Sequence, residues 1–232
     1  LWMHLWMHPI RRELLSNGCR FKGMTHYNDD TDEDLIAHIQ NGRHQAFAVL
    51  VQRHTDRFYG LAWRLLNNDA EADDVVQDAF LKLWTRPDLF RREAQVKFTT
   101  WFYRVVSNLA LDKLRTRKRW AGDAALAAVI DHAKIADQSY EDKQMQALMA
   151  QAVAALPERQ RLALSLCFYE GVSVAEAAQI IGVGEKAVES LLMRAKAGLR
   201  AELTRQNILS PTGRTSVKTN IETAEGRHER SV

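Results

Sequence analysis

Residues 173–199, SVAEAAQIIGVGEKAVESLLMRAKAGL, decide the fold class. Ser173 and Glu176 stand in the S-x-x-E relation of a capping box, and Val174, Ala177, Ala178 and Ile181 then recur at helical spacing. Gly182-Val183-Gly184 supplies a tight turn. Beyond it Val188, Leu191, Leu192, Ala195 and Leu199 form a second apolar face. Two short helices around a glycine turn follow, the arrangement of a helix-turn-helix.

Each step along a helix rotates the side chain by about 100°. Lys186, Ser190, Met193 and Ala197 therefore look away from the shared core, flanked by Glu189 and Arg194. The first residues of such a second helix enter the major groove, where lysine or arginine donates to guanine and glutamate accepts from cytosine. Lys186, Glu189 and Ser190 are the expected base contacts, with Met193 on the same face, and Arg194, Lys196 and Arg200 are expected at phosphates. An ordinary helical hairpin with a solvated face shares this spacing. The capped start, the glycine turn and the small-residue packing together weigh against it.

Outward from this motif the chain keeps a helical character. Residues 141–155 read as a helix, Pro157 suits the first turn of the next one, and Gly171 closes it. Upstream, helices are expected at residues 32–41, 44–66, 69–84, with Asp69 as cap, and 98–118, with a loop at Pro87. The fold expected is all-α: two small helical domains, 32–120 and 141–204, joined by an alanine-rich flexible linker at 121–140. Residues 1–31 are expected to be a disordered extension, with Met24 as an alternative start, and 205–232 a disordered tail rich in Thr, Ser, Asn and charge.

Composition agrees with a helical protein: 46% of residues are hydrophobic and only four are proline. A net charge of +3 is too mild to identify a partner, so the position of the charges matters more. The two cysteines, Cys19 and Cys167, form no CxxC or Cys/His cluster, so no disulfide framework, metal site or cofactor is expected. Cys167, between Leu166 and Phe168, reads as a small buried hydrophobe. No apolar run reaches the roughly 18 to 20 residues that cross a bilayer, so no membrane insertion and a cytoplasmic location are expected. No phosphate-binding glycine loop, catalytic carboxylate pair or nucleophile-base arrangement stands out, and the chain is not expected to be an enzyme.

Two faces of the first domain carry further chemistry. In residues 69–84, Ala72, Val75, Val76, Ala79 and Leu83 form a face to bury, whereas Asp74, Gln77, Leu81 and Trp84, joined by Asp78, share another sector. Large apolar groups among carboxylates suit a partner helix with basic residues. A solvated acidic face with Trp84 tucked under the next loop is the competing reading. In the helix from Phe98, the expected buried stripe is Phe98, Phe102, Val105 and Leu109. Beside it Trp101, Arg104, Asn108 and Arg115 combine an aromatic plane, cations and an amide, which is what unpaired nucleic acid needs. The run Lys113, Arg115, Arg117, Lys118 and Arg119 extends this stripe, or else complements the helix dipole.

Three segments in order, DAEADDVVQDAFLKLW (69–84), FTTWFYRVVSNLALDKLRTRKR (98–119) and LPERQRLALSLCFYEGVSVAEAAQIIGVGEKAVESLLMRAKAGLR (156–200), resemble the sigma factors of bacterial RNA polymerase. The type is the compact extracytoplasmic-function (ECF) type of the primary sigma family, and the likeness runs from about residue 34 to 203. It implies that the first segment binds core RNA polymerase, with Asp74, Gln77, Asp78, Leu81 and Trp84 near the clamp helices of the largest subunit. It implies that the second melts and reads the −10 element of promoter DNA as single strand, and that the third reads the −35 duplex. The loop at about 91–97, which in the family holds an unpaired −10 base, departs from the family pattern, so no base specificity is assigned there. The resemblance also implies an anti-sigma factor as partner. The alternatives are a stand-alone helix-turn-helix regulator and a helical adaptor that binds only proteins; the docking face and the aromatic-basic stripe argue against the first, the basic run against the second.

Overall fold

The computed structural model describes residue 27 and residues 29–90, 96–121 and 148–206. Among these residues the structure is helical and without strands. Helix α1 (Asp32–Gln40) starts at Thr31, whose hydroxyl accepts the Asp34 N–H at 3.2 Å. Its acidic first turn does more than complement the dipole. Asp32 pairs with His54 at 2.7 Å and Arg53 at 3.1 Å on α2 (Gln45–Leu66), and the Glu33 carboxylate accepts the N–H of Phe98, 65 positions along the chain, at 2.9 Å.

Helix α2 ends at Asn67, which takes the left-handed conformation at φ 51°. The cap of α3 (Asp69–Thr85) is Asn68 rather than the expected Asp69: extended backbone at Asn68 brings its side-chain oxygen to the Glu71 N–H at 2.9 Å. A 3-10 turn at Pro87–Leu89 follows, and α4 (Phe98–Ala121) runs slightly further than its pattern indicated. Helices α1 to α4 enclose a core of interlocked rings. Phe58 lies 4.6 Å from Phe102 and 5.0 Å from Tyr103 by ring centroids, and Phe80 lies 4.8 Å from Phe102. Tyr27, within the stretch expected as an extension, is buried against this domain with its ring 5.1 Å from that of His38, so the folded part includes it. Met24 lies outside the described residues, as do most of 1–31, the linker and the tail.

In the second helical group, residues 148–154 (α5) confirm part of the helix expected over 141–155; residues 141–147 lie outside the described ones. Pro157 precedes α6 (Glu158–Leu164), which continues into a π turn at Ser165–Tyr169. Gly171 reverses the chain at φ 67°, as its position foretold. Helix α7 (Val174–Ile181) opens on the complete Ser173/Glu176 capping box and closes at Gly182 with φ 75°, and α8 (Glu185–Arg205) packs back on α6 and α7.

The two groups are docked. Helix α4 is wedged between α2 and α3 on one side and α7 on the other, and one apolar core runs through both groups, from Phe58 and Phe102 to Leu166, Ala177 and Val188. This changes the buried face of α4. Phe98, Phe102, Tyr103, Val106, Ala110 and Leu114 are buried, while Val105 and Leu109, expected inside, are only half-buried. A helix with packing partners on two sides buries a wider band than its sequence stripe indicates.

Candidate nucleic-acid interface and protein-docking face

On α3, Asp74, Asp78 and Leu81 are exposed and Gln77 is half-exposed, all opposite the buried Ala72, Val76 and Leu83. Leu81, 46% exposed, is the apolar centre of this acidic face. Trp84 is different. Its ring packs 4.6 Å from His44 and 4.9 Å from Phe47, so it is half-buried as a wall of the domain and not a free anchor.

Arg104, Asn108 and Arg115 project from one side of α4 and are exposed, with Trp101 half-buried at its start. Trp101 is braced edge-on by Phe90, 5.6 Å away, which fixes the plane of its ring. The basic run is divided among partners. Lys113 pairs with Asp74 at 2.8 Å, Arg115 with Asp112 at 2.9 Å, Arg117 with Glu71 at 3.5 Å and Lys118 with Glu158 at 2.7 Å, while Arg119 donates to the Thr116 hydroxyl at 3.3 Å. The Asp74–Lys113 pair brings the acidic face of α3 and the basic run into contact. Between them lies a groove of about 460 Å³ lined by Val75, Asp78, Leu109, Lys113, Arg117 and Trp120. Trp120 is 87% exposed and was not singled out in the sequence, where it follows the charged run, with Thr116 and Arg117 as its preceding neighbours at helical spacing.

On α8 the expected reading face is open: Lys186, Glu189, Met193 and Arg194 are exposed, as are Lys196 and Arg200, and Ser190 is half-buried. Arg194 donates to the Ser190 hydroxyl at 2.9 Å, and the Lys196 ammonium sits 4.8 Å above the Phe168 ring. Cys167 is half-buried, and burial pushes its thiol pKa up, away from the thiolate a redox sensor needs.

A cluster that sequence reading missed joins the two domains. Glu170, just after the π turn and with its side chain only 5% exposed, receives Arg57 at 3.1 Å, Arg64, and the Tyr103 hydroxyl at 2.6 Å. Arg57 also donates to the Glu170 main-chain carbonyl at 2.9 Å, and the Arg64 guanidinium lies 4.7 Å from the Tyr169 ring centroid. Burial and the adjacent Glu170 carboxylate raise the Tyr103 phenol pKa above its ordinary value, which keeps it a donor. Nearby, the buried Arg161 donates to the Leu65 carbonyl at 2.6 Å, satisfying an orphan acceptor at the end of α2. The clue available in sequence was Arg161 itself, a charge beside the apolar run LALSLCF.

Among the described residues no helix is long and apolar enough to cross a membrane, and no group of three or more potential metal ligands occurs. The Sigma-70 region 2 family matches residues 50–120, and the Sigma-70 region 4 family matches residues 146–199. The ECF RNA polymerase sigma factor SigM of Mycobacterium tuberculosis is 32% identical over 181 residues, which cover 78% of this chain and 89% of SigM. The structure of CnrH in complex with the cytosolic domain of CnrY is similar with a TM-score of 0.58 at 27% identity, covering 76% of this chain and 99% of CnrH. The fold also matches that of the sigma factor RpoE of Bartonella quintana, solved in complex with the anti-sigma factor NepR, with a TM-score of 0.57 at 23% identity over 68% of this chain and 96% of RpoE. With an α1–α4 domain that contains region 2, a helix-turn-helix domain that contains region 4 and a relative this similar over most of its length, the chain belongs to the ECF sigma factors of RNA polymerase, which direct promoter-specific transcription initiation.

Proposed function

We propose that the separate steps of initiation fall on three faces of this chain. Asp74, Gln77, Asp78 and Leu81 on α3 dock core RNA polymerase, with Trp84 as the rigid backing of that face. Trp101, Arg104 and Asn108 on α4, with Lys113, Arg115, Lys118 and Arg119, open the −10 element and hold it as single strand. Lys186, Glu189, Ser190 and Met193 on α8 read the −35 duplex, with Arg194 and Lys196 at its backbone. The division of domains is 32–120 for polymerase and −10 DNA and 141–204 for −35 DNA, with 121–140 as the joint between them. The chain acts in the cytoplasm as a two-domain relative of the primary sigma factors, a specificity factor with no reaction of its own, and an anti-sigma factor is its second protein partner; the complex of the similar CnrH with a cytosolic domain supports this.

The observation that carries the reading is the exposure of Asp74, Asp78 and Leu81 on α3 and of Arg104, Asn108 and Arg115 on the adjoining α4. A stand-alone repressor has no use for either surface. Run-off transcription by core polymerase with and without the chain tests it: a promoter-specific transcript that depends on the chain is expected. Absence of such a transcript together with failure to bind core polymerase would sink it.

A further inference from the structure

Helix α1 reaches the entrance of α4 from both of its ends. Glu33 in its first turn and Gln40 at its last residue are seven positions apart, so they stand on one face, about 10 Å from each other along the axis. The Glu33 carboxylate accepts the Phe98 N–H at 2.9 Å. The first N–H groups of a helix have no partner inside it, and Lys97, which precedes α4, has no side-chain oxygen to cap them. The cap of α4 thus comes from α1. Gln40 meets the segment before α4: its side-chain amide donates to the Pro87 carbonyl at 2.9 Å and to the Phe90 carbonyl at 3.1 Å.

Both sets of bonds end on the residues that hold Trp101. Phe90 is 2% exposed, with its ring 5.6 Å from that of Trp101 and 5.9 Å from that of Phe98. Phe98 is fully buried, 6.1 Å from Trp101, and also meets the His54 ring at 5.7 Å, which Asp32 of α1 holds in turn at 2.7 Å. Trp101 itself belongs to the first turn of α4, its N–H bonded to the Lys97 carbonyl at 3.1 Å, so whatever sets the start of α4 also sets Trp101. Gln40 is exposed, and its amide nitrogen gives two hydrogen bonds to one turn of the chain. Such a side chain fixes the turn without filling the interior.

We propose that Glu33 and Gln40 are positioning residues for strand opening: from α1 they hold Trp101, through the start of α4 and through Phe90, where it receives an unpaired −10 base. This rests on the assignment of Trp101 to unpaired −10 DNA made above. Stacking depends on close contact, so a platform free to tilt holds a base less well although the domain stays folded. Gln40→Leu removes both donations at similar size from an exposed position. Glu33→Leu removes the acceptor, whereas Glu33→Gln keeps an acceptor oxygen and discards only the charge. Circular dichroism and thermal unfolding check that each variant is folded at the assay temperature.

Transcription by core polymerase with the full chain is measured on a promoter that the chain recognises and on the same promoter premelted across its −10 element. On the duplex template Glu33→Leu and Gln40→Leu are expected to lower transcript yield about tenfold, within what one stacked base contributes, and Glu33→Gln to stay near wild type. On the premelted template all three should stay within about twofold of wild type, because the opening they assist has been supplied. In a Trp101→Leu background neither leucine variant should bring a further loss of that size, the mark of residues that act through one group. Equal losses on both templates, no loss on the duplex one, a Glu33→Gln as weak as Glu33→Leu, or losses that multiply with Trp101→Leu would overturn the inference. Failure of the underlying reading shows differently, and takes the inference with it: Trp101→Leu then opens the duplex promoter as well as the wild type does, or the wild type gives no promoter-specific transcript.

Discussion

The two domains solve the same packing problem with different materials. The first fills its interior with rings, Phe47, Phe58, Phe80, Phe98, Phe102 and Tyr103, all buried and in mutual contact. The second has no buried aromatic ring among the described residues. Its interior is Leu162, Ala163, Leu166, Ala177, Ala178, Ile180 and Val188, with Val153, Leu156, Leu164 and Ala195 in a second cluster and Ala152 and Leu203 in a third, while Phe168 and Tyr169 stay on the surface. Small side chains let helices approach closely and form a tight turn, but they remove little apolar area from water, and area is what stabilises a small domain. The lean domain therefore gains from leaning on the rich one. The part of its core formed by Leu162, Leu166, Ala177 and Val188 is continuous with that of its neighbour, which accounts for the docking that the helix-turn-helix pattern does not require.

Phe58→Ala should break this contrast most severely. The ring is fully buried and touches Phe80, Phe102 and Tyr103, so its loss is expected to cost about 3 to 5 kcal/mol and to loosen the seat of Tyr103, which donates to Glu170. Thermal unfolding of the full chain would show it. A drop below 1 kcal/mol would mean the ring core is not what carries the first domain. In the lean domain the leverage lies in a cap: Ser173→Ala removes the hydroxyl that accepts the Glu176 N–H, leaving only the Ser173 N–H bond to the Glu176 carboxylate, and is expected to cost about 1 kcal/mol, read by urea denaturation. Ser173→Asp should restore most of it.

The smallest effect is confined to acid. Burial alone would raise the Asp32 pKa, but the hydrogen bond and charge of His54, joined by Arg53, together hold it below its ordinary value of 3.8. A depressed carboxylate stabilises the fold above its unfolded pKa and loses that contribution as pH falls through the folded one. The wild type should thus lose stability below about pH 4 more steeply than Asp32→Asn, with the two unfolding curves converging as the pH drops. Parallel curves from pH 5 to 3 would show that the His54 pair contributes nothing to pH dependence.

What was legible in sequence is what depends on local spacing. The helices, the Ser173/Glu176 box and the turn glycines Gly171 and Gly182 all follow from rules that span a few residues. The open face of α8 followed too, because a 100° rotation per residue places Lys186 and Met193 opposite Val188 without any knowledge of neighbours. Errors arise where a residue's setting is decided from far along the chain. Trp84 read as an exposed anchor, yet His44 and Phe47, some 40 positions upstream, cover it. Asp69 read as the cap of α3, one residue off, because the extended backbone of Asn68 is not visible in composition. Glu170 and Arg57 carry no mark in the sequence, since nothing within a few residues distinguishes a paired charge from a solvated one, and here the partner lies 113 residues away.

That separation also fixes an order of events during synthesis. All of α1 to α4 lies before residue 122, about 50 residues ahead of Glu170. At about 5 to 20 residues per second, all residues of the aromatic domain have been joined for roughly 3 to 10 seconds before Glu170 is even made. When that domain first emerges, Arg57, Arg64 and Tyr103 are without the carboxylate they will later receive, and each new molecule passes once through a state that lacks this contact between its domains.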